Sequence, residues 1–172
     1  MHKRENNIKN IRNQRSKRMG RYKTFGDSIG EPNYIAYIGY SANLKRVPST
    51  GAASYCIINK AGETQQQCKV FVGKSYFELC LMSIWSVLAK MPKGVIVRIV
   101  CDSNPVLETL SDANIASTKG SRVKSHIIRE KHRINKWILE RPYSATDNSY
   151  HDLVMDWAKQ ARKNYEANNP QQ

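Results

Sequence analysis

The stretch from Gly73 to Val106 constrains the fold more than any other part of the chain. It contains SYFELCLMSIWSVLAK, in which Phe77, Leu81, Ile84 and Leu88 recur at helical spacing, as do Cys80 and Val87. Apolar residues around most of the circumference predict a helix buried on most sides. Ser75 is placed to cap its start and Pro92 to stop it. After the turn Met91-Pro92-Lys93-Gly94 comes GVIVRIVC, an apolar run of strand length broken only by Arg98. A continuous β-branched run of this kind suits a central strand covered on both faces. Two acids, Glu78 and Asp102, stand in this apolar company. An unpaired carboxylate among buried residues is costly, so the pair marks a candidate site, one use for which is a metal ion.

The flanking sequence supplies more strands before this stretch and more helices after it. Tyr34–Tyr40 (YIAYIGY), Ala52–Asn59 (AASYCIIN) and Thr64–Val72 (TQQQCKVFV) read as strands. The turn residues Lys60-Ala61-Gly62-Glu63 make a hairpin of the second and third. Beyond Asp102, the residues Ser103-Asn104-Pro105 open a helix over 105–113. A second short helix is expected within 115–133, and Ile134–Glu140 (INKWILE) is a fifth strand. RPYSATDN, 141–148, reads as a loop. Ser149–Asn164 then forms an amphipathic helix with Leu153, Val154, Trp157 and Ala161 on its apolar face. The order predicts an α/β domain over 34–165: a mixed five-stranded sheet (βββαβαβα), its first, fourth and fifth strands parallel, with helices on both faces. Residues 1–33 are expected to form a basic flexible arm and linker, and 166–172 a disordered tail.

Charge narrows the class of partner. The net charge is +14. Residues 1–24 hold nine Lys or Arg against one Glu, and the remaining excess is concentrated in 119–141. Such a distribution favours a polyanion, nucleic acid first among them. No apolar run is long enough to span a bilayer, so no membrane partner is expected. The cysteines Cys56, Cys68, Cys80 and Cys101 form no CxxC pair, and they read as reduced residues of a cytoplasmic protein.

The βββαβαβα order, the helix containing Glu78-Leu79, the apolar strand ending in Asp102-Ser103 and the final helix opening with Asn148-x-x-x-Asp152 together resemble ribonuclease H type 1. The resemblance covers 34–163. It implies a ribonuclease H-like fold and an RNA–DNA hybrid or duplex as ligand. It also implies an endoribonuclease chemistry in which carboxylates hold two Mg²⁺ or Mn²⁺ ions about 4 Å apart. Carried over by position, Glu78, Asp102 and Asp152 are the candidate catalytic and metal-ligating residues. Asn148 is a candidate contact to nucleic acid. In the family a basic helix and loop between the fourth and fifth strands bind the DNA strand, which makes Lys119, Arg122, Lys124, Arg129, Lys131 and Arg133 candidate phosphate contacts.

This chain departs from the family at the first strand. Where the family has an aspartate touching both metals, aligning Ser41 with the motif's serine puts Gly39, which has no ligand atom. The glycine-rich loop that follows in the family is replaced by ANLKRVPSTG, with Lys45 and Arg46 offering charge. The loop before the last helix carries no histidine. Two functions therefore stand side by side: a metal-dependent nuclease, and a non-catalytic RNA- or DNA-binding or assembly module within a larger nucleoprotein complex.

Overall fold

The computed structural model describes residues 30–116 and 121–170. The expected basic arm, Lys119 and the last two residues of the tail lie outside the described residues. Five strands form one sheet: β1 (Tyr34–Asn43), β2 (Thr50–Asn59), β3 (Thr64–Val72), β4 (Ile96–Val100) and β5 (Lys136–Glu140). Four helices are described: α1 (Tyr76–Lys90), α2 (Asn104–Leu110), α3 (Ser121–Arg133) and α4 (Ala145–Asn168). The sheet order is β3-β2-β1-β4-β5. β2 pairs antiparallel with β1 on one side and with β3 on the other, while β4 and β5 continue from β1 in parallel.

Alternation along β1 sorts the two layers. Ala36 and Ile38 face α1 and join a core that includes Cys80, Leu81, Ile84, Val87 and Leu88 from that helix, Val97 and Ile99 from β4, and Val106, Leu107 and Leu110 from α2. Trp137 of β5 and Ile127 of α3 complete it. On the opposite face Tyr37, Cys56 and Val100 pack with Val154 of α4, flanked by Ile35, Ile58, Tyr150 and Trp157. β4 is thus covered on both sides, which is why its sequence is apolar without alternation.

α1 starts where its sequence says it should. Ser75 accepts from the Glu78 amide and the Glu78 carboxylate accepts from the Ser75 amide, a reciprocal capping box. Its C-terminal carbonyls are satisfied from another element: the Arg133 guanidinium of α3 donates to the Leu88 oxygen at 2.8 Å and to the Met91 oxygen.

α4 differs most from expectation. It begins at Ala145 rather than Ser149, because the Ser144 hydroxyl accepts from the Asp147 amide at 3.0 Å and caps the helix one turn early. It also runs on to Asn168, where Glu166 accepts from Arg162 at 3.0 Å and from Thr50 of β2. The first-turn acid is therefore Asp147. Asp152, expected in the first turn, lies more than a full turn further along.

Between the two helical layers the sheet is pinched at Gly39. Val154 brings its carbonyl against β1, accepting from the Ser54 hydroxyl at 2.5 Å. A Cβ at Gly39 would collide with that carbonyl and with the Ser54 oxygen. On the other side, the Ser83 hydroxyl of α1 lies 3.4 Å from the Gly39 oxygen and 3.2 Å from the Ser54 oxygen. Gly39 is required here for close approach rather than for an unusual φ.

Candidate functional site

Asp102 follows the end of β4, and each of its carboxylate oxygens meets one hydrogen-bond partner. The Tyr40 hydroxyl of β1 donates to Oδ1 at 2.6 Å. His151 of α4 places Nε2 3.2 Å from Oδ2. Because an ionised carboxylate only accepts, the His151 proton sits on Nε2. His151 Nδ1 is then buried without a hydrogen-bond partner among the described residues. The hydrogen bond from His151 holds the Asp102 carboxyl below the usual carboxylate range, against burial and with help from Tyr40. Burial and the Asp102 charge push the Tyr40 phenol upward, so it stays a donor. Residue for residue, the β1 side chain that addresses Asp102 is Tyr40. Gly39 faces α4 instead.

The other two expected ligands do not join Asp102. The Glu78 side chain, expected among buried residues, is 43 % exposed and is occupied by the Ser75 cap and by Lys74 at 3.5 Å. Its carboxyl is held below the ordinary range, first by the Ser75 amide. An exposed pair of this kind contributes little to stability. Asp152 is exposed on α4, as is Asn148. Among the described residues no group of three or more His, Cys, Asp or Glu side chains is arranged to hold a metal ion. The donor set therefore does not fit the pair of divalent cations that the family resemblance implied.

A second polar cluster, beneath the α4 N-terminus, is not foreseen from the sequence. Arg98, the one charge within β4, donates through Nη1 and Nη2 to both oxygens of Asp147, at 2.8 and 2.6 Å, and pairs with Glu140 of β5. The Tyr37 hydroxyl also donates to Asp147, at 2.9 Å. Tyr143 packs its ring 5.1 Å from the guanidinium carbon. Burial alone would raise the Asp147 pKa; Arg98 and Tyr37 overcome it and bring it down to about 2. Every charged group in this cluster is bonded, as buried charges require. The sequence signal existed: Ser144-x-x-Asp147 ahead of an apolar run is a helix-start pattern.

The basic candidates divide into surface and scaffold. Lys45, Arg122 and Arg129 are exposed, and Arg129 has a nitrogen 3.2 Å from His126 Nδ1. Arg46 donates to the Asn169 carbonyl at 2.5 Å, tying the β1–β2 loop to the end of α4. Lys131 lies 3.4 Å from Asp112 and 4.8 Å over the Trp137 ring. Lys124 is 1 % exposed, its ammonium donating to the Asn114 carbonyl at 2.8 Å, and burial lowers its pKa. It holds α3 in place and is not a surface contact. Arg133, through its bonds to α1, is likewise scaffold.

No family model matches the chain, and no curated protein is significantly similar to it. No helix among the described residues is long and apolar enough to cross a membrane.

Proposed function

We propose that this chain is a ribonuclease H-like nucleic-acid-binding module that holds an RNA–DNA hybrid or duplex without hydrolysing it, as part of a nucleoprotein complex in the cytoplasm. The strand order and the mixed sheet support the fold reading, and a net charge of +14 supports the polyanion. One observation carries the absence of hydrolysis. Asp102, the acid best placed to bind a cation, already accepts from Tyr40 and His151, while Glu78 serves as a cap and Asp152 points to solvent. Each Asp102 oxygen keeps a lone pair beyond its hydrogen bond, but no second or third carboxylate is at hand among the described residues to complete a site for a hard cation. Without a clamped metal pair there is no activated water and no stabilised leaving oxygen. Exposed cations such as Lys45, Arg122 and Arg129 remain suited to phosphate contacts, which position a duplex without reading its sequence.

The test incubates the full chain with labelled hybrid, double-stranded RNA and double-stranded DNA, with Mg²⁺ and with Mn²⁺. The expected result is binding that weakens steeply with salt, and intact strands. Each of Arg122→Ala and Arg129→Ala should lower the slope of log affinity against log salt by about 1. Hybrid cleavage by the wild type that disappears in Glu78→Gln would overturn the non-catalytic reading. Failure to bind any of the three duplexes would overturn the nucleic-acid reading itself.

A further inference from the structure

The β1–β2 loop carries a feature that phosphate binding leaves unexplained. Its residues Leu44-Lys45-Arg46-Val47-Pro48 include two large apolar side chains facing water, Leu44 at 55 % and Val47 at 88 % exposure. Next to the loop lie Val72 and Tyr76, also exposed. The adjacency is fixed by hydrogen bonds: Tyr76 Oη donates to the Ala42 carbonyl at 3.0 Å, and the Gly73 amide to the Ser49 carbonyl at 2.7 Å. Four of the six exposed large hydrophobics of the described residues thus gather at one corner. The loop is not a loose tip. Arg46 ties it to the Asn169 carbonyl, and the Lys45 amide donates to the Asn43 side chain at 3.2 Å. A held apolar tip of this kind marks an interaction site.

The charges around it select the occupant. Residues 44–49 contain Lys45 and Arg46 and no acid, and Lys74 stands where the neighbouring segment enters α1. Lys74 and Glu78 pair and so offset one another, as do Arg162 and Glu166, which leaves the cations of the loop itself as the excess charge. A corner with an apolar tip and a cationic rim complements a ligand with an anionic backbone and an apolar interior of stacked bases, which describes a duplex opened at a base step. Apolar side chains such as leucine wedge into base steps from the minor groove of a duplex, partly unstacking them. We propose that Leu44 and Val47 form such a wedge, with Lys45 on the adjacent phosphate and Arg46 holding the loop in place. The inference rests on the nucleic-acid reading above and extends it to a residue pair that carries no charge.

The experiment uses the full chain and an RNA–DNA hybrid with 2-aminopurine at each step in turn, alongside the Leu44→Ser/Val47→Ser double variant. Both side chains are exposed, so the variant should melt within about a degree or two of the wild type. Wild-type binding should raise 2-aminopurine fluorescence at one or two adjacent steps. The variant should lose that rise and bind about tenfold more weakly, with the salt slope unchanged because no cation has been removed. Lys45→Ala should do the reverse, lowering the slope and keeping the rise. A double variant that binds and unstacks as well as the wild type would overturn the wedge and leave the nucleic-acid reading standing. A wild type that binds no duplex would overturn both. If the pair were needed for binding vesicles of anionic phospholipid, with no unstacking of hybrid, the occupant would be a lipid surface and the wedge would be wrong.

Discussion

Arg98 shows how much one side chain can carry when its neighbours are charged and buried. It is the sole cation touching both Glu140 and Asp147 among the described residues, and the Asp147 side chain is 2 % exposed. Arg98→Ala should leave two carboxylates close together in low dielectric, and the expected loss is about 3–5 kcal/mol in urea unfolding. A loss near that of an exposed ion pair, below about 1 kcal/mol, would mean that water replaces the guanidinium. The same cluster sets an acid limit. Asp147 has a folded pKa lowered to about 2, from 3.8. A depressed carboxylate stabilises the fold fully above its unfolded pKa and loses that contribution as pH falls through the folded value. Stability should therefore fall between about pH 4 and pH 2 by roughly 2 kcal/mol from this group. In Asp147→Asn that part of the acid transition should be missing, as followed by circular dichroism during acid titration.

Gly39 governs the packing of two elements. It lets the α4 backbone touch β1, with Ser54 bonded to Val154 at the point of closest approach. Gly39→Asp, the change that would place an acid where ribonuclease H type 1 has one, should instead force α4 away from the sheet. Overpacking of this kind costs about 1–3 kcal/mol, and a buried charge adds to it. The check is a thermal melt together with hybrid cleavage assays: lower stability and no gain of cleavage are expected. At the level of elements the sequence was largely readable. β3 spans Thr64–Val72 as expected, and α1 lies between its serine cap and Pro92 because both boundaries rest on local chemistry. The start of α4 was less readable, since Ser144 as a cap competes with Pro142 and Asn148 as loop residues. The site was read less well than the fold. Asp102 does mark a polar cluster, but Glu78 turns outward at a helix start. The partners of Asp102, His151 and Tyr40, come from elements that only the tertiary fold brings together.

For the whole molecule, charge is split between the described domain and a segment outside it. Residues 1–24 carry nine Lys or Arg. Deleting them should weaken duplex binding and reduce the salt slope by about 0.9 for every phosphate that the segment neutralises, measured by fluorescence anisotropy across a salt series. Unchanged affinity would assign all binding to the folded domain. Within that domain, α3 presents cations from a firmly held support. Lys124 is buried against Asn114, and Arg133 is bonded to the end of α1. Arg122 and Arg129 are exposed and seven residues apart, which puts them on one side of the helix about 10.5 Å from each other along its axis. Because Arg133 fastens that helix, the two arginines spring from it at a fixed interval. On the reading proposed above, α3 would act as a ruler for the spacing of a polyanion's charges.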